Sequence, residues 1–182
     1  MRKIASLFLF IFGLFLTSVT SAGEIYPTYL YGNKNFIYCG AHMGIVWYID
    51  KSSLVVEENT SSHCKIVVNV LKAQFTSDGF NLDRLDSPIV TTQKNQFYYD
   101  LNNRKMYKWI EPNQYVKGNE WHYIAPVGSF AETGHTFSGE IAFYIAFNKK
   151  FYGGRKHYNN YTKRYENIKF SDIMYKYVDE AQ

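Results

Sequence analysis

The sequence has 182 residues, with 20 Lys and Arg against 16 Asp and Glu, and a formal net charge of +4. This near-balance argues against a protein that is drawn to nucleic acid or to an anionic membrane by long-range electrostatics. Aromatic residues make up 19% of the chain and include 17 Tyr, a side chain that suits both half-buried sheet faces and exposed recognition surfaces.

The N-terminal 22 residues have the pattern of a secretory signal peptide. Two basic residues precede an apolar run from Ile4 to Leu16, and Ala22 ends a stretch of small residues that signal peptidase accepts. We expect residues 1–22 to be removed and residues 23–182 to form a single exported β-rich domain in the periplasm, at the cell surface or outside the cell. Without the leader the formal charge falls to +2, and no membrane-spanning apolar run follows.

The first part of the exported domain predicts β-strands. Phe36–Cys39 is a short strand closed by glycine, and Ile45–Ile49 and Leu54–Glu57 flank a polar turn at Asp50–Ser53. The β-branched run Lys65–Phe75 is long enough to cross the centre of a sheet.

A tight β-hairpin is predicted where two aromatic-rich runs flank Asn102-Asn103, because Asn tolerates a positive φ. The polar residues 76–94 form a long connection before it. Another strand is expected at Glu120–Ile124, ended by Pro126.

The pattern changes to helix near Ser138. Ser138 is suited to cap a helix, Glu140 would lie in its first turn, and Phe143, Phe147 and Phe151 repeat with the period of one helical face. A strand is the alternative interpretation, because the period of a dense apolar run is ambiguous.

Helical spacing recurs at Tyr158, Tyr161, Tyr165 and Ile168, and Ser171 is placed to cap a short C-terminal helix. The predicted fold class is therefore α+β. We expect an antiparallel sheet of about five to seven strands with one or two helices, mostly in the C-terminal third.

Cys39 and Cys64 are the only cysteines. In an exported protein, an even number of cysteines suggests a disulfide. Closing a loop of this size would stabilise the fold by about 3–4 kcal/mol in the chain-entropy model. Two buried thiols are the alternative, because a disulfide needs Cα atoms within roughly 7 Å.

Common catalytic signatures are missing from the sequence: it has no GxSxG elbow, HExxH helix, P-loop or dinucleotide glycine motif. The sequence therefore favours a non-enzymatic protein and predicts neither a cofactor nor a metal site. One enzymatic alternative is a carboxylate–histidine set of Glu132, His135 and Glu140, which could run acid–base chemistry in a small secreted enzyme. The competing explanation is that Glu140 caps a helix and the other two belong to a polar loop.

Basic and aromatic residues alternate in the segment 155–165. The candidate binding residues are Arg155, Lys156, Tyr158, Tyr161, Lys163 and Arg164. Basic groups beside aromatic rings suit a polyanion, and for an exported protein an anionic glycan or an acidic protein surface is a better candidate than nucleic acid. The alternative is that the Tyr side chains pack on the sheet while the charges are solvated.

Four sequence pieces follow one another between Trp47 and Pro126: WYIDKSSLVV, KIVVNVLKA, FYYDLNNRKMY and WHYIAP. In this order they resemble small exported bacterial proteins of the surface-adhesin protein E type. The resemblance implies an antiparallel sheet flanked by helices, an envelope or surface location, and binding of extracellular matrix proteins. It transfers no binding residues. The chain departs from the pattern because no Cys for lipidation follows the leader.

These patterns together favour an exported, non-enzymatic, envelope- or surface-associated binding domain whose partner is an extracellular protein or an anionic glycan. The hypothesis predicts an exposed aromatic patch larger than is usual for a monomer. The small secreted enzyme and the polyanion-binding module of segment 155–165 stay open as alternatives. Homodimerisation through an edge strand or the aromatic surface is a further one.

Overall fold

The computed structural model describes residues 26–75, 87–111, 118, 120–126, 133–159, 163–167, 170 and 172–182. The predicted signal peptide lies outside these ranges. The fold is α+β, as predicted, and the described part of the chain contains a six-stranded antiparallel sheet, a separate β-hairpin and two α-helices.

The large sheet is a meander in which each strand pairs with its neighbours in the chain. Its strands are β1 (Phe36–His42), β2 (Ile45–Asn59), β3 (His63–Gln74), β4 (Ile89–Asp100), β5 (Lys105–Ile110) and β6 (Glu120–Ile124). They are followed by helix α1 (Thr133–Phe147), the hairpin strands β7 (Lys156–Asn159) and β8 (Arg164–Asn167), and helix α2 (Asp172–Glu180). A short 3-10 helix, Leu30–Gly32, precedes β1.

Strand β2 is longer than the sequence predicts. The expected turn at Asp50–Ser53 is wrong, because β2 runs through it with a shift of register against β3 between Asp50 and Val55. The extra residues stay bonded to the sheet, since the Ser53 hydroxyl accepts a hydrogen bond from the Asn69 amide at 2.8 Å. A bulge of this kind bends a strand without ending it.

Helix α1 packs closely on one face of the large sheet, the helix face. A Cβ atom at Gly134 would overlap the Trp47 ring, and one at Gly139 would overlap the Met106 sulfur. Helix α1 begins at Thr133, five residues before the predicted cap, so both glycines belong to it. Ser138 therefore lies inside the helix, where its hydroxyl donates to the Gly134 carbonyl.

The opposite side of the sheet, the open face, is covered only in part by the described N-terminal segment. Tyr26 packs on Phe75 with ring centroids 5.1 Å apart, and the Tyr48 hydroxyl donates to the Pro27 carbonyl at 3.0 Å. Leu30 is buried in the same cluster. Among the described residues, this cover lies over β1 to β3 and reaches Val90 at the start of β4.

The region after α1 differs from the predicted second helix. Tyr158 and Tyr165 are cross-strand partners in the β7–β8 hairpin, so the helical spacing of the Tyr residues does not describe the fold. The predicted C-terminal helix is confirmed as α2, although Ser171 lies outside the described residues. Neither described helix has both the length and the apolar character needed to cross a bilayer.

Candidate functional site

Five aromatic side chains of the open face lie side by side on β4, β5 and β6. They form the aromatic patch, which comprises Tyr98, Tyr107, Trp109, Trp121 and Tyr123. Neighbouring ring centroids are 5.2 to 6.0 Å apart, a separation at which tilted and edge-to-face pairs attract one another.

Strand alternation puts these rings on the open face. Met106 and Lys108 of β5 point toward α1, so Tyr107 and Trp109 point the other way. In the β5–β6 register, Tyr107 pairs with Tyr123 and Trp109 with Trp121, which extends the aromatic surface across both strands.

The outer strand of the patch is its most accessible part. Trp121 is 36% exposed and Tyr123 is 43% exposed, whereas the other three rings are half-buried beside them. Contiguous apolar surface left accessible on a protein is typical of an interaction site. The patch is therefore the strongest candidate binding surface among the described residues.

His63 borders the patch from the start of β3. Its ring stacks on Tyr98 at a centroid distance of 5.4 Å and an interplanar angle of 25°. Its Nε2 atom lies 3.2 Å from a Glu58 carboxylate oxygen, and its Nδ1 atom lies 3.1 Å from the Thr60 hydroxyl. Contacts at both ring nitrogens fix the imidazole and make this edge of the patch polar.

The predicted basic-aromatic segment forms the hairpin rather than one continuous surface. Lys156 pairs with Asn167 and Arg164 pairs with Asn159, so these two basic residues lie at opposite ends of the hairpin. Arg155, Lys156, Lys163 and Arg164 are all exposed. The side chain of Tyr158 is not among the described ones, and Tyr161 lies outside the described residues.

The proposed carboxylate–histidine set is not brought together. Glu140 is fully buried and binds the backbone amides of Phe151 and Tyr152 at 2.9 and 2.7 Å, away from His135. Glu132 lies outside the described residues. The structure therefore removes Glu140 from the enzymatic alternative, and it also corrects the expectation that Glu140 stabilises a first helical turn.

His135 instead faces a lysine. Lys108 Nζ lies 3.1 Å from His135 Nδ1, beside a cavity of about 630 Å³ between β4, β5 and the start of α1. Burial lowers the pKa of Lys108 to about 8. Burial, followed by the charges of Lys108 and His122, lowers the pKa of His135 to about 4. Lys108 therefore carries the proton of this pair at neutral pH, and the neutral imidazole accepts its hydrogen bond.

Asn95 lies near this pair, in a smaller cavity of about 260 Å³ that His135 also lines. It is 2% exposed, and its side-chain oxygen has no hydrogen-bond donor among the described groups. His135 lines both cavities, whereas Lys108 lines only the larger one and Asn95 only the smaller one. Within the described chain, no group of three or more His, Cys, Asp or Glu side chains is placed to hold a metal ion.

The expected disulfide is not formed: Cys39 and Cys64 are both buried and free. Tyr38, the neighbour of Cys39, pairs with Tyr48 of β2, and Tyr48 pairs with Leu71 of β3. Cys64 precedes Leu71 by seven positions on β3. At a rise of about 3.3 Å per residue, this separates the two levels of the sheet by about 23 Å. The prediction of pairing is therefore corrected to the alternative of two buried thiols.

We expect reduction to leave the stability unchanged. A disulfide across this loop would contribute about 3–4 kcal/mol to the free energy of unfolding. Reduction has no bond to break in a protein whose two thiols are free. Urea denaturation with and without a reducing agent should give the same midpoint, and a thiol reagent should titrate two groups in the unreduced, denatured protein. A midpoint that falls on reduction, with no titratable thiol, would contradict the arrangement.

Part of the aromatic patch can be predicted from the sequence. Tyr107 and Trp109, and likewise Trp121 and Tyr123, have the i, i+2 spacing that places side chains on one face of a strand. Both strands were predicted, but their pairing in the sheet was not, and the pairing is what joins the rings. The Lys108–His135 contact spans 27 positions and left no comparable sequence pattern.

Comparisons with protein-family models, with curated proteins and with solved structures found no significant match. The resemblance to surface-adhesin protein E therefore stays a prediction. The function has to be argued from the geometry of the chain itself.

Proposed function

We propose that this protein is an exported, non-enzymatic binding domain that recognises another extracellular protein through the aromatic patch. The observation that carries the proposal is the contiguous set of partly exposed rings on β4 to β6. Tyr and Trp are the side chains that most often dominate the energy of protein interfaces. Export is supported by the signal-peptide pattern of the first 22 residues.

The charges next to the patch favour a protein partner over an anionic glycan. Lys65 lies on the open face beside Tyr98, but its ammonium group is paired with Glu57 at 2.8 Å. His63 is likewise engaged by Glu58. A polyanion would need unpaired cations at this surface, whereas a protein interface with an apolar centre tolerates a rim of mixed charge.

The proposal is tested by measuring the binding of the purified protein to a panel of immobilised extracellular matrix proteins and sulfated glycans. We expect Trp121→Ser and Tyr123→Ser each to weaken binding to a protein of the panel by about tenfold or more. Tyr165→Ser is the matched control, because Tyr165 is 71% exposed and lies on the hairpin, outside the patch. Circular dichroism establishes that each variant keeps its fold.

The outcomes separate the alternatives. Binding that is unchanged in both patch variants would refute the role of the patch. Binding to sulfated glycans alone, lost at high salt and in Lys163→Glu and Arg164→Glu, would favour the polyanion module of the hairpin instead. Self-association that the patch variants abolish would identify a homodimer interface in place of a partner site.

A further inference from the structure

We propose that a second site, at the end of the sheet near the end of α1, binds a free fatty acid or a similar single-chain carboxylate amphiphile. This site is a cavity of about 530 Å³, called the basic pocket. It lies on the helix face, and the proposal is independent of the aromatic patch. A volume of this size lies in the range of small-molecule binding sites.

The inner wall of the basic pocket is apolar. Phe143 and Phe147 enter it from the last turns of α1, with ring centroids 4.9 Å apart. Cys64 at the start of β3 and Leu101 in the β4–β5 turn form the other side. Burial raises the pKa of the Cys64 thiol to about 12, so at neutral pH this group remains uncharged and behaves as a small apolar side chain.

Three cations, Arg104, Lys149 and Lys150, line the same cavity, and no carboxylate does so among the described residues. Lys150 is already paired with Asp172 at 2.7 Å. No described acidic side chain pairs with Arg104 or Lys149. The C-terminal end of α1 opposes an anion with roughly half a negative charge, but the two positive charges of Arg104 and Lys149 outweigh it.

Local backbone geometry directs these cations to the pocket. Asn148 ends α1 with a φ of 51°, a left-handed conformation that Asn adopts more readily than most residues, so the chain reverses just before Lys149. Arg104 has a φ of 53° in the β4–β5 turn, and its guanidinium lies over the Phe151 ring at 5.8 Å.

Arg155 adds a fourth positive charge nearby. Burial, followed by the charge of Arg155, lowers the pKa of Arg104, which means that the two guanidinium groups repel one another. A bound carboxylate would relieve this repulsion. Arg155, one of the basic residues of segment 155–165, is thus close enough to affect Arg104, although it does not line the cavity.

The apolar wall and the cations that line the same cavity match a ligand with an alkyl tail and an anionic head. The tail would displace water from Phe143, Phe147 and Leu101, and the carboxylate would accept charge-assisted hydrogen bonds from Arg104 and Lys149. A neutral or cationic amphiphile would gain the free energy of tail burial but not the hydrogen bonds from Arg104 and Lys149 to a carboxylate. Selectivity for the acid is therefore the property that distinguishes this site from an ordinary apolar crevice.

Isothermal titration calorimetry with the purified protein tests the site. Dodecanoate, kept below its micelle concentration, is expected to bind with a 1:1 stoichiometry and about tenfold or more tightly than 1-dodecanol or dodecyltrimethylammonium. The double variant Arg104→Gln/Lys149→Gln should lose this preference by weakening dodecanoate binding about tenfold, while binding of 1-dodecanol stays as it was.

The control is Lys72→Gln/Lys94→Gln, which makes the same change in net charge at two exposed residues. Lys72 lies eight positions from Cys64 along β3, about 26 Å away. This variant should bind dodecanoate as the wild type does. Equal binding of the cationic amphiphile, wild-type affinity in the Arg104/Lys149 variant, or binding only to anionic phospholipid vesicles would each overturn the proposal. None of these results depends on the aromatic patch.

Discussion

Glu140→Ala is expected to lower the free energy of unfolding by about 4 kcal/mol. The Glu140 carboxylate is fully buried and accepts four hydrogen bonds: from the amides of Phe151, Tyr152 and Gly153, and from the Tyr175 hydroxyl at 2.8 Å. Removing the carboxylate leaves these donors buried without an acceptor, and each unsatisfied donor costs about 1–3 kcal/mol. The loss would also disconnect α1 from the turn after it and from α2.

Urea denaturation followed by tryptophan fluorescence and circular dichroism measures this effect. Glu140→Gln should lose less, about 2 kcal/mol, because its amide keeps one acceptor but directs its NH₂ group at another donor. Glu120→Ala, at an exposed position of β6, is the control and should stay within about 0.5 kcal/mol of wild type. A Glu140→Ala protein as stable as this control would show that the carboxylate does not organise the turn. If Glu140→Ala fails to fold, the Gln variant supplies the measurement.

The role of Glu140 could not be predicted from its neighbours in the sequence, because its hydrogen-bond partners lie 11 to 35 positions away. Its position near Ser138 suggested a helix start, since Ser and Glu are common there. The helix begins earlier and includes Gly134 and Gly139, which are poor helix formers in isolation but allow close contact with the sheet. The carboxylate oxygens of Glu140 receive their hydrogen bonds only once the chain after α1 has folded back on them.

The sheet could be predicted where the pattern is local. The long strand β3 and the strand Glu120–Ile124 follow from alternation and β-branched content. The hairpin around Asn102-Asn103 is also present, but its positive φ lies at Arg104 rather than at an Asn. The prediction of a helix in the Tyr-rich segment was wrong, because the spacing of three Tyr residues and one Ile fits a helical period without a helix being formed. In the structure, Lys163 adopts a φ of 54° just before β8, and the chain forms a hairpin.

The two candidate sites also differ in how far local sequence patterns indicate them. The aromatic patch is made of residues alternating within strands, so its members could have been identified once the strands were paired. The basic pocket takes Arg104 from a β-turn, Lys149 from a helix end and Cys64 from a strand start. Three elements distant in sequence contribute to it, and only the tertiary fold brings their charges and apolar surfaces together.

The other large effect is expected in acid, where the protein should lose about 3 kcal/mol of stability between pH 6.5 and pH 4 through His135 alone. Burial, then the charges of Lys108 and His122, lower the pKa of folded His135 from 6.5 to about 4. Below pH 6.5 the unfolded chain therefore binds a proton that the folded protein does not yet bind. The stabilisation is complete above pH 6.5 and disappears as the pH falls through 4.

His135→Gln isolates this contribution, because glutamine does not titrate in this range and can still accept a hydrogen bond from Lys108. The free energy of unfolding of the wild type minus that of His135→Gln, measured by urea denaturation at intervals from pH 7 to pH 4, should fall by about 3 kcal/mol over the window. A difference that does not vary with pH would mean that neither burial nor the neighbouring charges oppose protonation of His135 in the folded protein, and it would contradict the prediction.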